Sequence, residues 1–161
     1  MNKQKWILLV EDNENDADLA LRALSVNEAP DDVVTARDGV EALDCLYHRT
    51  GFTRHTTGNP TVVLLDLKMP RMNGLEVLKH VKTDPCLQTI PVVMLTSSRE
   101  EADVVRSYRL GVNAYVVKPV DFHAFVTALK EIKYFWTVLN EPPPDDADTV
   151  VVPSPAASAV A

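Results

Sequence analysis

Residues 61–70 read Thr61-Val62-Val63-Leu64-Leu65-Asp66-Leu67-Lys68-Met69-Pro70. The first five residues form a continuous apolar run rich in β-branched side chains, which is typical of a strand buried on both faces. A carboxylate, Asp66, ends the run. Four further runs of this kind lie on either side of it along the chain: Trp6 to Val10, Val33 to Ala36, Pro91 to Thr96 and Ala114 to Val117. The sequence therefore predicts five buried strands.

Segments with helical spacing of apolar residues separate these runs. Two examples are the stripes Leu75, Leu78, Val81 and Val104, Val105, Tyr108. A capping residue followed three positions later by a glutamate indicates three helix starts, at Asp38 and Glu41, Asn73 and Glu76, and Ser98 and Glu101. Gly111 fits a helix end. Strands and helices that alternate in this way predict an α/β protein, with a doubly wound five-stranded parallel sheet covered by helices on both faces.

The chain has 161 residues, 46% of them hydrophobic, which suits one compact domain. After Asn140 the composition changes to prolines, small residues and four acids without a base, so we expect a domain over residues 1–140 and a disordered tail over 141–161. The net charge of -7 argues against binding to nucleic acid or to an anionic membrane. Without a membrane-spanning stretch or a secretory signal, and with Cys45 and Cys86 outside any metal or disulfide pattern, we expect a cytoplasmic protein with reduced thiols.

Reactive side chains follow four of the five predicted strands. They are Glu11 and Asp12 after the first strand, Asp66 after the third, Thr96 at the end of the fourth, and Lys118 followed by Pro119 after the fifth. The carboxyl ends of parallel strands meet at one edge of a sheet, where binding sites of such folds lie. Three carboxylates brought together there repel one another unless they are protonated or neutralised by a cation.

A hard divalent ion with oxygen ligands, which we expect to be Mg²⁺, resolves that repulsion. A carboxylate beside such an ion and a lysine can act as a nucleophile toward phosphorus, because both cations offset charge on the phosphoryl oxygens. The hydroxyl of Thr96 can donate a hydrogen bond to a further oxygen. The set of residues is therefore compatible with an aspartyl phosphate.

These residues resemble the receiver domain of two-component response regulators. The resemblance extends from about Lys5 to Leu139 and is carried by four motifs and one glycine: Leu8-Leu9-Val10-Glu11-Asp12, Leu64-Leu65-Asp66-Leu67-Lys68-Met69-Pro70, Gly74, Leu95-Thr96-Ser97 and Tyr115-Val116-Val117-Lys118-Pro119. It implies a flavodoxin-like fold of five strand-helix units. It also implies that the donor of the phosphoryl group is a histidine kinase, and that the chain is a signalling protein rather than an enzyme with turnover, apart from slow loss of its own phosphate.

The resemblance assigns a role to each matching residue. Asp66 is the implied phosphoacceptor, and the implied Mg²⁺ ligands are Glu11, Asp12, Asp66 and the backbone carbonyl of Lys68. Thr96, Ser97 and Lys118 correspond to phosphate-binding positions. Thr96 and Tyr115 correspond to a coupled switch that reshapes the surface of the fourth helix, fifth strand and fifth helix. The resemblance also implies a cis peptide bond before Pro119. Lys68 departs from many receivers, which carry an uncharged or acidic side chain there. Its cation could hold the phosphoryl group or hinder the hydrolytic water, or it could point to solvent.

Two further features narrow the resemblance to the single-domain response regulators that are paired with phytochrome-type histidine kinases. They are a long connection from His48 to Pro60 and the ending Glu131-Ile132-Lys133-Tyr134-Phe135-Trp136. The last helix already has a core-facing stripe in Phe122, Phe125, Val126, Leu129, Ile132 and Trp136. Successive residues turn about 100° around a helix, so Tyr134, Phe135 and Trp136 cannot all face one core. We expect exposed aromatic surface here that a homodimer covers, or that the tail of the same chain covers.

Three alternatives stay open. A phosphatase of the haloacid dehalogenase type also uses an aspartate nucleophile with Mg²⁺, but it carries a second aspartate where this chain has Lys68. A flavodoxin-like flavin-binding protein shares the order of strands and helices, but its phosphate loop is here the acidic stretch of residues 11–16. A receiver that is never phosphorylated could serve as a scaffold.

Overall fold

The computed structural model describes residues 5–25, 33–49, 58–144 and 151–153. Strands and helices alternate throughout this part of the chain. In chain order the elements are β1 (Ile7–Val10), α1 (Glu14–Leu24), β2 (Val33–Ala36), α2 (Gly39–Leu46), β3 (Val62–Leu65), α3 (Gly74–Thr83), β4 (Val92–Thr96), α4 (Glu101–Arg109), β5 (Ala114–Val117), α5 (Phe122–Tyr134) and a π-helical turn (Phe135–Leu139). The predicted strands and helices are confirmed, with ends that differ by one residue at most in the strands. Residues 50–57, in the long connection, and most of the predicted tail lie outside the described residues.

The five strands form one parallel sheet in the order β2-β1-β3-β4-β5. The chain runs from β1 outward to β2 and then crosses back to β3 on the other side of β1, so the strand order reverses between β1 and β3. Val10 and Leu65, the last residues of these two strands, lie side by side in register. A doubly wound flavodoxin-like fold, as predicted, thus presents its crevice where Glu11 and Asp66 follow.

The sheet separates two hydrophobic cores, because successive strand residues point to opposite faces. Leu8, Val10 and Leu65 face one core together with α2 and α3, whereas Leu9 and Leu64 face the other with α1 and α5. The central strands β1, β3 and β4 are buried along their whole length, and the edge strands β2 and β5 are partly exposed. Burial on both faces explains the continuous apolar runs in the sequence.

Capping side chains fix the starts of the helices that flank the sheet. Asp38 accepts a hydrogen bond from the Glu41 amide at 2.9 Å, and Asn73 accepts one from the Glu76 amide at 3.0 Å, as the sequence predicts. The prediction that Ser98 caps α4 is wrong. Helix α4 begins at Glu101 after Glu100, and the Ser98 hydroxyl donates instead to the carboxylate of Asp103.

The buried face of α4 also differs from the prediction. Val105 and Tyr108 are exposed, whereas Asp103 and Ser107 are buried. Apolar spacing located the helix correctly, but only Val104 of the predicted stripe is half-buried, because the fully buried residues of α4 are polar. Gly111 does end the helix, with a φ of 98° that favours glycine.

The end of α5 exposes part of its aromatic surface. Phe125 and Leu129 are buried, Trp136 packs partly buried against the same core, and Tyr134 and Phe135 are 56% and 47% exposed. The sequence predicts Phe122 in the core stripe, but this side chain is 53% exposed at the first residue of α5. None of the described helices is long and apolar enough to cross a membrane.

Candidate phosphoacceptor site

Three carboxylates converge where β1 and β3 end. Glu11, Asp12 and Asp66 each offer a carboxylate oxygen, and the three oxygens lie within 4.8 Å of one another. Glu11 and Asp66 are buried, while Asp12 is exposed. The reversal of strand order between β1 and β3 therefore brings together residues that are about 55 positions apart in the sequence.

Backbone contacts hold Asp66 in place. Its amide donates to the carbonyl of Val10 at 3.0 Å, which joins β3 to β1 at the site, and its Oδ1 accepts the Leu67 amide at 2.7 Å. Gly74, at the start of α3, lies so close that a Cβ there would be 2.2 Å from the Asp66 carbonyl oxygen. The Gly74 amide donates to the Leu67 carbonyl at 2.7 Å. The chain can make this close approach of α3 to Asp66 only with glycine at position 74.

Lys118 extends from the end of β5 into the acidic cluster, and its side chain is only 11% exposed. Its Nζ forms an ion pair with Glu11 and lies 3.4 Å from Asp66 Oδ2. It also lies 3.4 Å from Oδ2 of Asp16, in the first turn of α1. The contact between Asp16 and Lys118 could not be predicted from the sequence, because the helix dipole alone explains an aspartate in the first turn of a helix.

The acidic residues and Lys118 change one another's protonation. Burial raises the pKa of Glu11 to about 7, although the hydrogen bond from Lys118 opposes this, and the charge of Asp66 raises it further. Burial lowers the pKa of Lys118, but the hydrogen bond to Glu11 and the charge of Asp66 outweigh burial, so that the pKa lies above its ordinary value. Lys118 is therefore a fixed cation in the acidic cluster, beside a Glu11 carboxyl group whose ionisation is favoured by further positive charge.

The donor set fits a hard divalent cation. Carboxylate oxygens are the preferred ligands of Mg²⁺ and related ions, and the mutual repulsion of three of them supplies the reason to bind one. Asp12 and Lys68 line the same groove, of about 530 Å³. The side chain of Lys68 is 67% exposed, with its Nζ 4.0 Å from Glu100 Oε1, so it lies in solvent at the rim of the site.

The hydroxyl residues and Tyr115 lie one strand further along. Thr96 is buried at the end of β4, and its hydroxyl accepts a hydrogen bond from the Ser98 amide at 3.3 Å; Ser97 is exposed between them. Tyr115 is partly buried, and its hydroxyl donates to the Ser98 carbonyl at 3.0 Å. Burial raises the pKa of Tyr115, which keeps the phenol protonated as a donor. Thr96 and Tyr115 are thus both bonded to the backbone of Ser98.

One expectation at this edge is wrong: the peptide bond between Lys118 and Pro119 is trans, not cis. Peptides before proline prefer the trans isomer by about 0.5–1 kcal/mol when no packing demands the other. Beyond this bond a cleft of about 360 Å³ opens toward solvent, lined in part by Ser97, Lys118 and Val120. One side of the Lys118 side chain therefore faces this cleft.

A second interaction that the sequence did not reveal supports the loop after Asp66. Arg71 adopts a φ of 61°, which non-glycine residues rarely do, and donates from Nε at 2.8 Å and from Nη2 at 2.5 Å to Asp38 Oδ2. Asp38 was identified only as a helix cap. It also ties the β3–α3 loop to the start of α2, since its other oxygen caps that helix.

Comparisons with known proteins agree with this geometry. Residues 7–130 match the response regulator receiver domain family. The probable methanogenesis regulatory protein FilR2 of Methanothrix harundinacea (strain 6Ac) is 40% identical over 137 residues, which cover 85% of this chain and 86% of the relative. The response regulator Rcp1 of Synechocystis sp. (strain ATCC 27184 / PCC 6803 / Kazusa) is 36% identical over 135 residues, which cover 84% and 90% of the two chains.

Solved structures similar to this one include response regulators of phytochromes. The phosphorylated cyanobacterial phytochrome response regulator RcpA is 39% identical, with a TM-score of 0.81 over 88% of this chain and 99% of that one. The Mn²⁺-bound form of Rcp1 is 35% identical, with a TM-score of 0.78 over 87% and 99%. The bacteriophytochrome response regulator AtBRR is 54% identical, with a TM-score of 0.67 over 87% and 100%. The chain therefore belongs to the response regulator receiver domain family and is a response regulator of two-component signal transduction.

Proposed function

We propose that Asp66 accepts a phosphoryl group from the phosphohistidine of a histidine kinase. The observation that carries this proposal is the position of the Asp66 carboxylate beside both the carboxylates of Glu11 and Asp12 and the ammonium group of Lys118. In the transfer an Asp66 oxygen forms a bond to phosphorus while the bond from phosphorus to the histidine nitrogen breaks, and its electron pair returns to the imidazole ring. The aspartyl phosphate then stores the signal.

Mg²⁺ is the proposed cofactor, held by Glu11, Asp12, Asp66 and the backbone carbonyl of Lys68. When bound, it offsets the negative charge of the carboxylates and of the incoming phosphoryl oxygens. Three observations support a divalent ion: the spacing of the three carboxylates, the raised pKa of Glu11, and the Mn²⁺-bound structure of the related Rcp1. These residues provide oxygen ligands only, which favours Mg²⁺ among the common cellular divalent ions.

The chain's own residues complete the phosphoryl site. Lys118 is held among the carboxylates, so that its cation can pair with a phosphoryl oxygen without a large movement. Thr96 and Ser97 supply hydroxyl donors at the end of β4. Thr96 and Tyr115 form the proposed switch, through which phosphorylation changes the surface formed by α4, β5 and α5. Slow loss of the phosphate, without turnover of an external substrate, is part of the same proposal.

The proposed kinase is of the phytochrome type. RcpA and AtBRR, which resemble this chain over most of its length, are response regulators of a phytochrome and of a bacteriophytochrome. The proposed partners are proteins throughout, with no nucleic acid and no membrane. The chain is proposed to act in the cytoplasm as a receiver domain of residues 1–140 with a tail at 141–161.

A homodimer is the proposed assembly. Tyr134 and Phe135 expose aromatic surface at the end of α5, and exposed aromatic rings at one place favour association with a partner. Trp136, the third candidate, already packs against the core of its own chain and contacts Phe135 edge-on, with ring centroids 4.9 Å apart. We therefore expect Trp136 to orient Phe135 rather than to enter the interface itself.

The test of phosphorylation is the intact mass of the protein after incubation with acetyl phosphate and Mg²⁺. Wild type should gain one phosphoryl group, Asp66→Asn should gain none, and Asp18→Asn, which changes an exposed aspartate of α1, should behave as wild type. An adduct on Asp66→Asn equal to that on wild type would exclude Asp66 as acceptor.

The kinase is tested with ATP and a purified bacteriophytochrome kinase, with an unrelated histidine kinase as control. Transfer that is equally fast from both kinases would contradict the phytochrome assignment.

A further inference from the structure

The fully buried side chains of helix α4 are polar. Among its nine residues, all of which the structure describes, the buried ones are Asp103 and Ser107. The Ser107 hydroxyl donates to the Asp103 carbonyl at 2.8 Å, which is a contact within the helix. Asp103 is 7% exposed, and a buried carboxylate without a partner is strongly disfavoured. The position of α4 therefore depends on what Asp103 binds.

Asp103 binds Ser98, which precedes the helix. The Ser98 hydroxyl donates to Asp103 Oδ2 at 2.6 Å in a buried setting. A hydrogen bond to a charged acceptor is about twice as strong as one between neutral groups, and burial strengthens it further. Ser98 is itself only 7% exposed, so water does not readily replace this contact.

The other polar groups of Ser98 bind the two residues of the proposed switch. Its amide donates to the Thr96 hydroxyl at 3.3 Å, and its carbonyl accepts from the Tyr115 hydroxyl at 3.0 Å. The contact to Thr96 is long, so it is weaker and more easily lost than the contact to Asp103. Ser98 thus connects the phosphoacceptor edge of β4, a tyrosine of β5 and the buried carboxylate of α4.

We propose that Ser98 is a positioning residue that transmits the state of the phosphoacceptor site to helix α4 through its hydrogen bond with Asp103. This inference rests on the proposed phosphorylation of Asp66. When the Thr96 hydroxyl turns to donate to a phosphoryl oxygen, the long contact from the Ser98 amide weakens. Ser98 then moves, and the 2.6 Å bond carries that movement to Asp103 and to α4.

The test is hydrogen exchange of the α4 amides, residues 101–109, with and without phosphorylation by acetyl phosphate and Mg²⁺. In wild type, phosphorylation should change the exchange rates of α4. In Ser98→Ala the mass should still show the phosphoryl adduct, the α4 amides should exchange about tenfold or more faster before phosphorylation, and the change on phosphorylation should disappear. Asp103→Ala removes the same bond from its other side and should give the same loss.

Two variants separate transmission from simple stability. Asp103→Asn keeps an oxygen that can accept from Ser98, so the response of α4 to phosphorylation should be retained. Ser107→Ala removes a buried hydroxyl of α4 whose one partner among the described residues is the Asp103 carbonyl, and the response should again persist. The proposal would be overturned if the α4 amides exchange faster in Ser98→Ala and Asp103→Ala but their exchange rates still change on phosphorylation as in wild type. If wild type acquires no phosphoryl adduct, the proposed phosphorylation of Asp66 is wrong, and the inference about Ser98 fails with it.

Discussion

Gly74 is the position where the smallest substitution should disturb the acceptor most. The Cβ of Gly74→Ala would lie 2.2 Å from the Asp66 carbonyl oxygen and 2.8 Å from the Leu67 Cα, both of which are backbone atoms without rotamers to relieve the contact. Ordinary van der Waals contact begins at 3.4 Å, so the backbone of Asp66 and the start of α3 must separate by about 1.2 Å, the difference between the two distances.

A displacement of about 1 Å at a reacting group can cost about a hundredfold in rate. Overpacking of this kind also destabilises the fold by about 1–3 kcal/mol, which corresponds to a fall of about 2–4 °C in Tm for each kcal/mol in a chain of this size. We therefore expect Gly74→Ala to remain folded but to acquire the phosphoryl adduct about a hundredfold more slowly. The assay is intact mass against time, with acetyl phosphate and saturating Mg²⁺.

Gly111→Ala is the matched control. Its φ of 98° makes alanine unfavourable there by about 1–3 kcal/mol, but the nearest atom to the added Cβ is Cγ of Lys82, at 3.4 Å, and the site is remote from Asp66. This variant should lose comparable stability and keep the rate of phosphorylation. Equal rates of phosphorylation in the two variants would show that the close contact between Gly74 and Asp66 does not control the rate.

Three further predictions concern charge, thiols and assembly. Burial tends to raise the pKa of Asp38, but hydrogen bonds from the Glu41 amide and from Arg71 outweigh burial and lower this pKa below 3.8. The stability that ionised Asp38 contributes is therefore complete above pH 3.8 and is lost as the pH falls through the lowered pKa. Denaturation curves of wild type and Asp38→Asn should accordingly converge in acid. Burial raises the pKa of Cys45 to about 11 while Cys86 is exposed, so iodoacetamide at pH 8 should label only Cys86 in the folded protein, and both thiols in urea. Replacing Tyr134 and Phe135 by serine should shift sedimentation from dimer to monomer.

Each of these has an outcome that would contradict it. A constant difference between wild type and Asp38→Asn from pH 7 to pH 3 would show that the charge of Asp38 does not contribute. Labelling of Cys45 in the native state at the rate of Cys86 would contradict its burial. A dimer that survives the serine replacements but is lost in Val120→Ser, at the opposite end of α5, would place the interface elsewhere.

The sequence predicts the sheet and most of the acceptor edge because hydrophobicity and chemistry leave few options there. A strand buried on both faces must be apolar throughout, and side chains that follow parallel strands must meet at one edge. Glu11, Asp12, Asp66 and Lys118 follow from these two rules. Their convergence requires no knowledge of the helices beyond the fact that helices connect the strands.

The interactions that could not be predicted are those in which polar residues occupy buried positions that apolar residues usually fill. Asp103 is buried on α4, whereas the apolar periodicity of the sequence predicts Val104, Val105 and Tyr108 on the buried face. Ser98 has the spacing of a capping residue with Glu101 as its partner, but its hydroxyl binds the carboxylate of Asp103, two positions beyond Glu101. The trans peptide before Pro119 differs from an expectation that rested on resemblance, not on local packing.

The buried hydrogen bond between Ser98 and Asp103 affects how helix α4 can move. Apolar side chains can slide past one another by fractions of an ångström with little change in energy, since dispersion contacts have no preferred direction. The bond between Ser98 and Asp103 has a narrow range of lengths and angles, so a small slide breaks it outright. Helix α4 should accordingly occupy discrete positions, visible in NMR spectra as separate resonances for its amides instead of one set that drifts.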